Sequence, residues 1–505
     1  IEVTREGLHL LAKGDASLAE RVEAALGSAG GDDLVVSLSR VRRDGEGVLR
    51  FTHLGSSVAR FTVPRGGVPR LVSVQDVDRD SASPHRPSWG AALLRQGAWV
   101  YAFGSWLRPH ETFGRAVAAN NPGVARTRHV LPYGAIDLMP VYAGWTLQPG
   151  EVSTAALSGI HLGIEPTWGA QSMWGATGNG AAVVRRVSAN GNLSPSVPAD
   201  HLLLPEPVAV NRRAGEAIGT RIWVPSGSGY AASRSVLAGQ DYCYIGANAT
   251  DWAWGGTITG ASPLASTIQP IAILGRTPDR RRHPAVAIVG DSIGYGNVSM
   301  SDGALGWDND ADGNSGWIER ALANRVAWSN LSAPGDRLDY LTNVNGGAGG
   351  RRVGRSNALR RLGYTHVIHA LSGTNDAFAG LTLAQIQDRW LNWTDELVGM
   401  GHRVWAVTPL PHTASSDSWA TLANQSVTPP GAVLVQMADW IRANARAYGC
   451  ERVIDLAALV DNGSGRWRVD LAAQLGAPPT YDGVHPASLM TQWIAAQGLI
   501  GAGLN

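Results

Sequence analysis

The sequence predicts a multidomain chain in which β-rich modules of sandwich or jelly-roll type precede an α/β domain. Three observations carry that expectation. Up to about residue 150, short β-type runs alternate with Gly, Pro, Asp and Ser punctuation, and from about 151 to 283 the β pattern becomes purer. Beyond Pro284 strand-like and helix-like segments alternate, the pattern of a parallel sheet covered by helices. The expected domains are therefore 1–150, 151–283 and 284–505.

Length and composition narrow the possibilities. With 505 residues the chain can bury two to four separate cores. Its net charge is +1, from 42 basic and 41 acidic residues, and no basic run exceeds Arg280-Arg281-Arg282, which argues against nucleic acid as the main partner. Cys243 and Cys450 are far apart, so neither a disulfide framework nor a cysteine metal site is indicated. No apolar stretch approaches the roughly 20 residues that span a bilayer, so no membrane insertion is expected.

Taken in order, residues 17–26 read as a helix, and 34–38, 60–63 and 98–103 as strands. Residues 206–211 and 219–225 read as two strands joined by a turn at 213–216, the short spacing of a sandwich or jelly roll. Tryptophans gather at Trp145, Trp168, Trp174, Trp223, Trp252 and Trp254. Such rings stack on sugars, as in a carbohydrate-binding module, and they equally fill sandwich cores. Residues 277–284, charged and bounded by prolines, read as a linker. The α/β pattern then runs strand 286–290, helix 316–327, helix 356–362, strand 366–371, helix 383–400, strand 403–409, helix 432–448, strand 452–456 and helix 486–498.

The stretch 285–296, AVAIVGDSIGYG, concentrates the chemistry. Small and β-branched residues form a fully buried strand that stops at Gly290-Asp291-Ser292. A serine just past a strand's carboxyl end, between Gly290 and Gly294, sits on a tight turn with its hydroxyl open and its own N–H aimed at the same spot. Ser292 is the candidate nucleophile. Asp482-Gly483-Val484-His485 sets a carboxylate three residues before an imidazole. His485 is placed to take the Ser292 proton, and Asp482 to fix the imidazole tautomer and stabilise its charged form. Asn375, at the end of the 366–371 strand, and Gly335, in a loop after a third strand, supply hydrogen-bond donors for an oxyanion together with the Ser292 N–H. Taken singly, these are also a turn serine, a capping histidine, a loop glycine and a turn asparagine.

With these four blocks in this order, GDSI at 290–293, NLSAPGD at 330–336, GTND at 373–376 and DGVH at 482–485, residues 284–505 resemble the SGNH, or GDSL-type, hydrolase family. The resemblance implies a flavodoxin-like three-layer fold, Ser292, Asp482 and His485 as triad, and Ser292, Gly335 and Asn375 as oxyanion donors. It implies no required cofactor. Ile293 replaces the leucine of the family name, and the 330–336 block is the loosest match. GDSIG also fits the GxSxG elbow of α/β-hydrolases, but that fold brings in its elbow after several strands, whereas Ser292 follows the first of its domain.

The resemblance further implies a serine esterase. Family members with β-sandwich modules often deacetylate polysaccharides, and some belong to bacteriophage tails. An O-acetyl esterase acting on an acetylated glycan, secreted or in a virion tail, and as a homo-oligomer or part of a larger particle, is the expected protein. Alternatives are a lipase or thioesterase of the same family, and a glycan-binding receptor-recognition protein with an inactive hydrolase domain.

One further motif stands apart. Asp308, Asp310, Asp312 and Asn314, with Glu319 further on, follow the spacing of a calcium loop, so calcium is a possible ligand. Against it, no helix enters from the N-terminal side, Ser315 stands where an apolar residue usually pins such a loop, and acidic turns before helices are common for dipole reasons alone.

Overall fold

The structure, a computed structural model, describes strands at 33–37, 41–43, 49–51, 57–62, 70–76 and 99–101. From residue 121 it describes the chain except for 149, 154–156, 169–183, 227–232, 235–241, 247–248, 255–265, 280–282, 324, 343–352, 502–503 and 505. The helix expected at 17–26, Trp174 and part of the expected linker lie outside the described residues. Asp33–Ser37, Ser57–Thr62 and Arg70–Asp76 form a three-stranded antiparallel sheet.

Between residues 99 and 276 two antiparallel sheets face one another. One runs Arg185–Val187, His161–Glu165, Ala217–Val224, Gly123–Val130, Tyr242–Ile245 in spatial order. The other runs Leu202–Leu203, Ala135–Ala143, Ala272–Arg276, Trp99–Tyr101, with Val208–Arg212 also paired to Ala135–Ala143. Leu162, Ile164, Ile218 and Ile222 of the first sheet pack against Leu138, Tyr142 and Ile273 of the second. The boundary expected at 150 is corrected by these pairings: strands from both sides of it share each sheet, and the β pattern of 121–143 carries no local mark of which partners it will find.

The C-terminal domain is a five-stranded parallel sheet in the order Ala327–Asn330, Ala285–Gly290, His366–Ala370, Arg403–Val407, Arg452–Ile454. Numbered along the chain this is 2-1-3-4-5, the flavodoxin-like doubly wound order. The central strand shows why the pattern reads as a continuous apolar run: Ala285, Ala287 and Val289 face one core, Val286 and Ile288 the other. Helices Leu383–Gly399 and Pro429–Asn444 cover the first face through Ile386, Trp390, Leu434 and Met437, and Gly316–Leu322 and Ser488–Ala496 the second through Trp317, Ile318, Met490 and Ile494. Each large apolar side chain buried this way contributes about 1.5–3 kcal/mol. Leu383–Gly399 starts from a capping box between Thr382 and Gln385, and Pro429–Asn444 from Thr428 followed by proline.

The two units share a core. Along Ala135–Ala143, Leu138 and Tyr142 point into the sandwich while Met139, Val141 and Ala143 point into the α/β domain, and Ala272 and Leu274 do likewise on the neighbouring strand. The segment expected to be a linker therefore joins units already packed together, and Tyr133 stacks on His283 and donates to the Pro284 carbonyl at 2.8 Å. No helix among the described residues is long and apolar enough to cross a membrane.

Candidate active site

Ser292 opens a one-turn helix, Ser292–Tyr295, directly after the central strand. Asp291 caps it, its Oδ1 accepting from the Ile293 N–H at 2.9 Å, and burial raises this carboxyl to a pKa of about 6. The turn is tight around its glycines. A Cβ on Gly290 would lie 3.0 Å from the Gly294 Cα, and one on Gly294 3.0 Å from the Ser332 hydroxyl.

The structure brings Ser292, His485 and Asp482 together across 193 residues of sequence. Ser292 Oγ lies 2.7 Å from His485 Nε2, and His485 Nδ1 lies 2.7 Å from Asp482 Oδ2. The other carboxylate oxygen accepts the backbone N–H groups of Val484 and His485, both at 2.8 Å. Burial pushes the Asp482 carboxyl up, but the hydrogen bond and charge of His485, with those two N–H groups, outweigh it and hold the group below the ordinary carboxylate range. The loop is fastened from outside as well. Ser299 Oγ donates to the His485 carbonyl at 2.8 Å and accepts the Tyr481 N–H at 3.0 Å.

Gly335 and Asn375 follow the strands on either side of the Ser292 strand, so all three loops leave the same edge of the sheet. Gly335 has a φ of +75°. Asn375 Nδ2 donates to the Asp336 carbonyl at 2.9 Å, which holds the amide against the peptide that follows Asp336 and leaves it a second N–H. Asp376 Oδ2 accepts the Leu338 N–H at 2.9 Å, a second tie between the same two loops.

The side chains of the calcium spacing take partners within the protein. Glu319 is buried and turned inward, accepting from the Ser315 N–H and from Asn330 Nδ2, both at 2.8 Å. Asp310 accepts from the N–H groups of Asp312 and Asn314 and from the Asn314 amide, Asp308 pairs with Arg320 at 3.0 Å, and Asp312 lies 3.7 Å from Arg128. Among the described residues no three His, Cys, Asp or Glu side chains converge as a metal would require. Asp308, Asp310 and Glu319 are engaged by protein donors.

Reading the sequence alone passed over three features of the site. Asn330, inside the second block, donates to the Gly294 carbonyl at 3.1 Å and to Glu319, bracing the nucleophile turn from below. Ser299 is the clasp described above. His412, lowered in pKa by burial, lies within range of the Asp482 and His485 charges and meets Phe378 edge-on at 4.4 Å, with Phe378 52 % exposed. The PLPH run after a strand was the available signal for His412.

Of the tryptophans expected in the β-rich part, Trp145 is buried in the core shared with the α/β domain, while Trp168, Trp223 and Trp252 are half-buried in a separate cluster with Tyr244.

No family model matches the chain, and no curated protein matches it. Solved structures similar to it include the native aryl esterase of M. smegmatis, 17 % identical, covering 44 % of this chain and 100 % of that one with a TM-score of 0.30. Another is a carbohydrate acetylesterase from Sinorhizobium meliloti, 16 % identical, covering 44 % and 100 % with a TM-score of 0.27. At such identity and score, the weight rests on the chain's own residues. By strand order, by the sequence of its four blocks and by the Ser292–His485–Asp482 hydrogen bonds, residues 284–505 have the arrangement of an SGNH, GDSL-type, hydrolase domain.

Proposed function

We propose that the chain is a serine esterase, and that its substrate is an O-acetylated polysaccharide. The observation that carries the esterase reading is the unbroken hydrogen-bonded relay from Ser292 Oγ through His485 to Asp482 at the carboxyl edge of the parallel sheet. Ser292 Oγ attacks the acyl carbon while its proton passes to His485 Nε2. Asp482, held ionised, stabilises the imidazolium. The tetrahedral oxyanion takes hydrogen bonds from the Ser292 N–H, the Gly335 N–H and the free N–H of Asn375. Collapse expels the alcohol, which takes the proton from His485, and leaves an acyl-serine. Water then gives a proton to His485, attacks the acyl carbon and releases the acid, and the proton returns to Ser292.

The substrate class is supported by aromatic surface. Phe378 stands exposed beside His412 at the site; a ring of this kind stacks on sugars. Secretion or assembly into a virion tail, a jelly-roll topology and a homo-oligomeric state belong to the same proposal.

Acetate release from acetylated polysaccharide by wild type and Ser292→Ala, side by side, tests it. The proposal expects turnover in wild type and its loss in the mutant. Equal release by both chains contradicts the nucleophile, and a preference for long-chain p-nitrophenyl esters over acetate favours a lipase or thioesterase instead.

A further inference from the structure

Arg355 carries a buried charge that the reaction itself does not use. Its side chain is 0 % exposed and lies between two carboxylates that are 0 % and 2 % exposed, Asp336 and Glu151. Asp336 belongs to the second block of the α/β domain. Glu151 belongs to the β-rich unit, in the hairpin of Trp145–Gln148 and Gly150–Ser153.

The contacts form one continuous chain. Glu151 Oε2 accepts the Gly354 N–H at 2.7 Å, and Oε1 accepts the Arg355 N–H at 2.9 Å and its Nε at 3.4 Å. Arg355 Nη1 donates to Asp336 Oδ2 at 2.5 Å and to the Leu331 carbonyl at 3.3 Å. The backbone carbonyl of Asp336 is in turn the acceptor that holds the Asn375 amide. Packing fixes the hairpin in place, because a Cβ on Gly354 would fall 2.5 Å from the Trp145 ring. Both carboxylates and the guanidinium have left water, and such a cluster is a poor source of stability compared with apolar side chains of the same volume. What it does supply is direction: a fixed cation that pins Asp336, the residue next to Gly335, and with it the carbonyl that holds the Asn375 amide.

We infer that Glu151 and Arg355 are positioning residues for the oxyanion donors, so that the β-rich unit completes the catalytic site of the α/β domain. The inference rests on the esterase reading above. It predicts that Glu151→Gln and Asp336→Asn lower kcat about 10- to 100-fold with KM changed less than about threefold, since one oxyanion donor is worth about 10²–10³ in kcat and here donors are displaced, not removed.

The experiment counts competent sites with a fluorophosphonate and expresses kcat per labelled Ser292, which separates misfolded protein from a misaligned site. Ile218→Ala, which removes a buried contact inside the sandwich core and pairs with none of the three charged residues, serves as the structural control. It is expected to lower Tm with kcat per site unchanged. A Glu151→Gln chain that fails to fold hands the test to Asp336→Asn, which keeps the shape of the side chain. Wild-type kcat per site in the charge variants, or an equal loss in Ile218→Ala, overturns the inference while leaving the esterase reading intact. Absence of Ser292-dependent turnover in wild type removes that reading, and the inference with it.

Discussion

At Ser292 a hydroxyl, an imidazole and a carboxylate are joined by two hydrogen bonds of 2.7 Å, and each role has its own consequence. Replacing His485 with Ala removes the only base in that relay, and kcat is expected to fall about 10³-fold or more, measured as acetate release per folded molecule. Asp482 stays ionised below the usual carboxylate range, so its contribution is fully present above the ordinary carboxyl pKa and is lost only as pH falls through its lower folded value. Acid buffers near pH 5 therefore leave this carboxylate charged. Phe378→Ala is expected to raise KM for an acetylated glycan several-fold and to leave p-nitrophenyl acetate nearly unaffected; equal effects on both substrates would deny the ring a role in binding sugar. The triad residues were legible because each block is local, a few residues at a strand end. The Glu151–Arg355 contact was not, because its partners are 204 positions apart and nothing near either one marks the pairing.

Among the elements, the loops at the sheet's carboxyl edge decide the geometry. Gly483 sits between the triad's acid and base with a φ of +81°, and a Cβ there would fall 1.9 Å from the Thr413 carbonyl oxygen. Gly483→Ala must therefore shift the loop, and it is expected to lower both Tm and kcat; unchanged kinetics would mean that the loop tolerates displacement. The acidic loop before Gly316–Leu322 turns its last carboxylate into the protein. Its residues satisfy a calcium pattern, and Glu319 lies inward, accepting from the Ser315 N–H and from Asn330 Nδ2. Glu319→Ala removes the acceptor of the Ser315 N–H and one acceptor of Asn330, and is expected to cost about 1–3 kcal/mol in denaturant unfolding. A chelator is expected to leave Tm unchanged, and a calcium-dependent rise in Tm would restore the metal. The helices and strands of the α/β domain were legible within a few residues, but helix 316–327 stops at Leu322 because Ala327–Asn330 is needed as a strand beside the nucleophile strand.

Across the whole molecule, the β-rich and α/β units share one core through the two faces of Ala135–Ala143, an arrangement invisible in sequence because a strand buried on both faces reads the same whatever covers it. Two histidines make this body acid-sensitive. His129 in the β-rich unit is lowered to a pKa of about 3 by burial and then by the charge of Arg128, and His369, stacked on Trp390, is lowered to about 3 by burial. Their folded values lie below the unfolded value of about 6.5, so their stabilisation is complete above that pH and is lost as pH falls towards 3. Stability should decline between those limits by up to about 1.4 kcal/mol per pH unit for each group, and His369→Phe should make the decline shallower. An unchanged slope would mean that His369 charges within the folded protein. The central claim, that Ser292 is the nucleophile, is tested most directly by mass spectrometry of the fluorophosphonate-treated protein. One phosphonyl group per chain on the peptide carrying Ser292, absent in Ser292→Ala and in heat-unfolded wild type, is the result expected. Labelling elsewhere, or none at Ser292 in the folded protein, would contradict it.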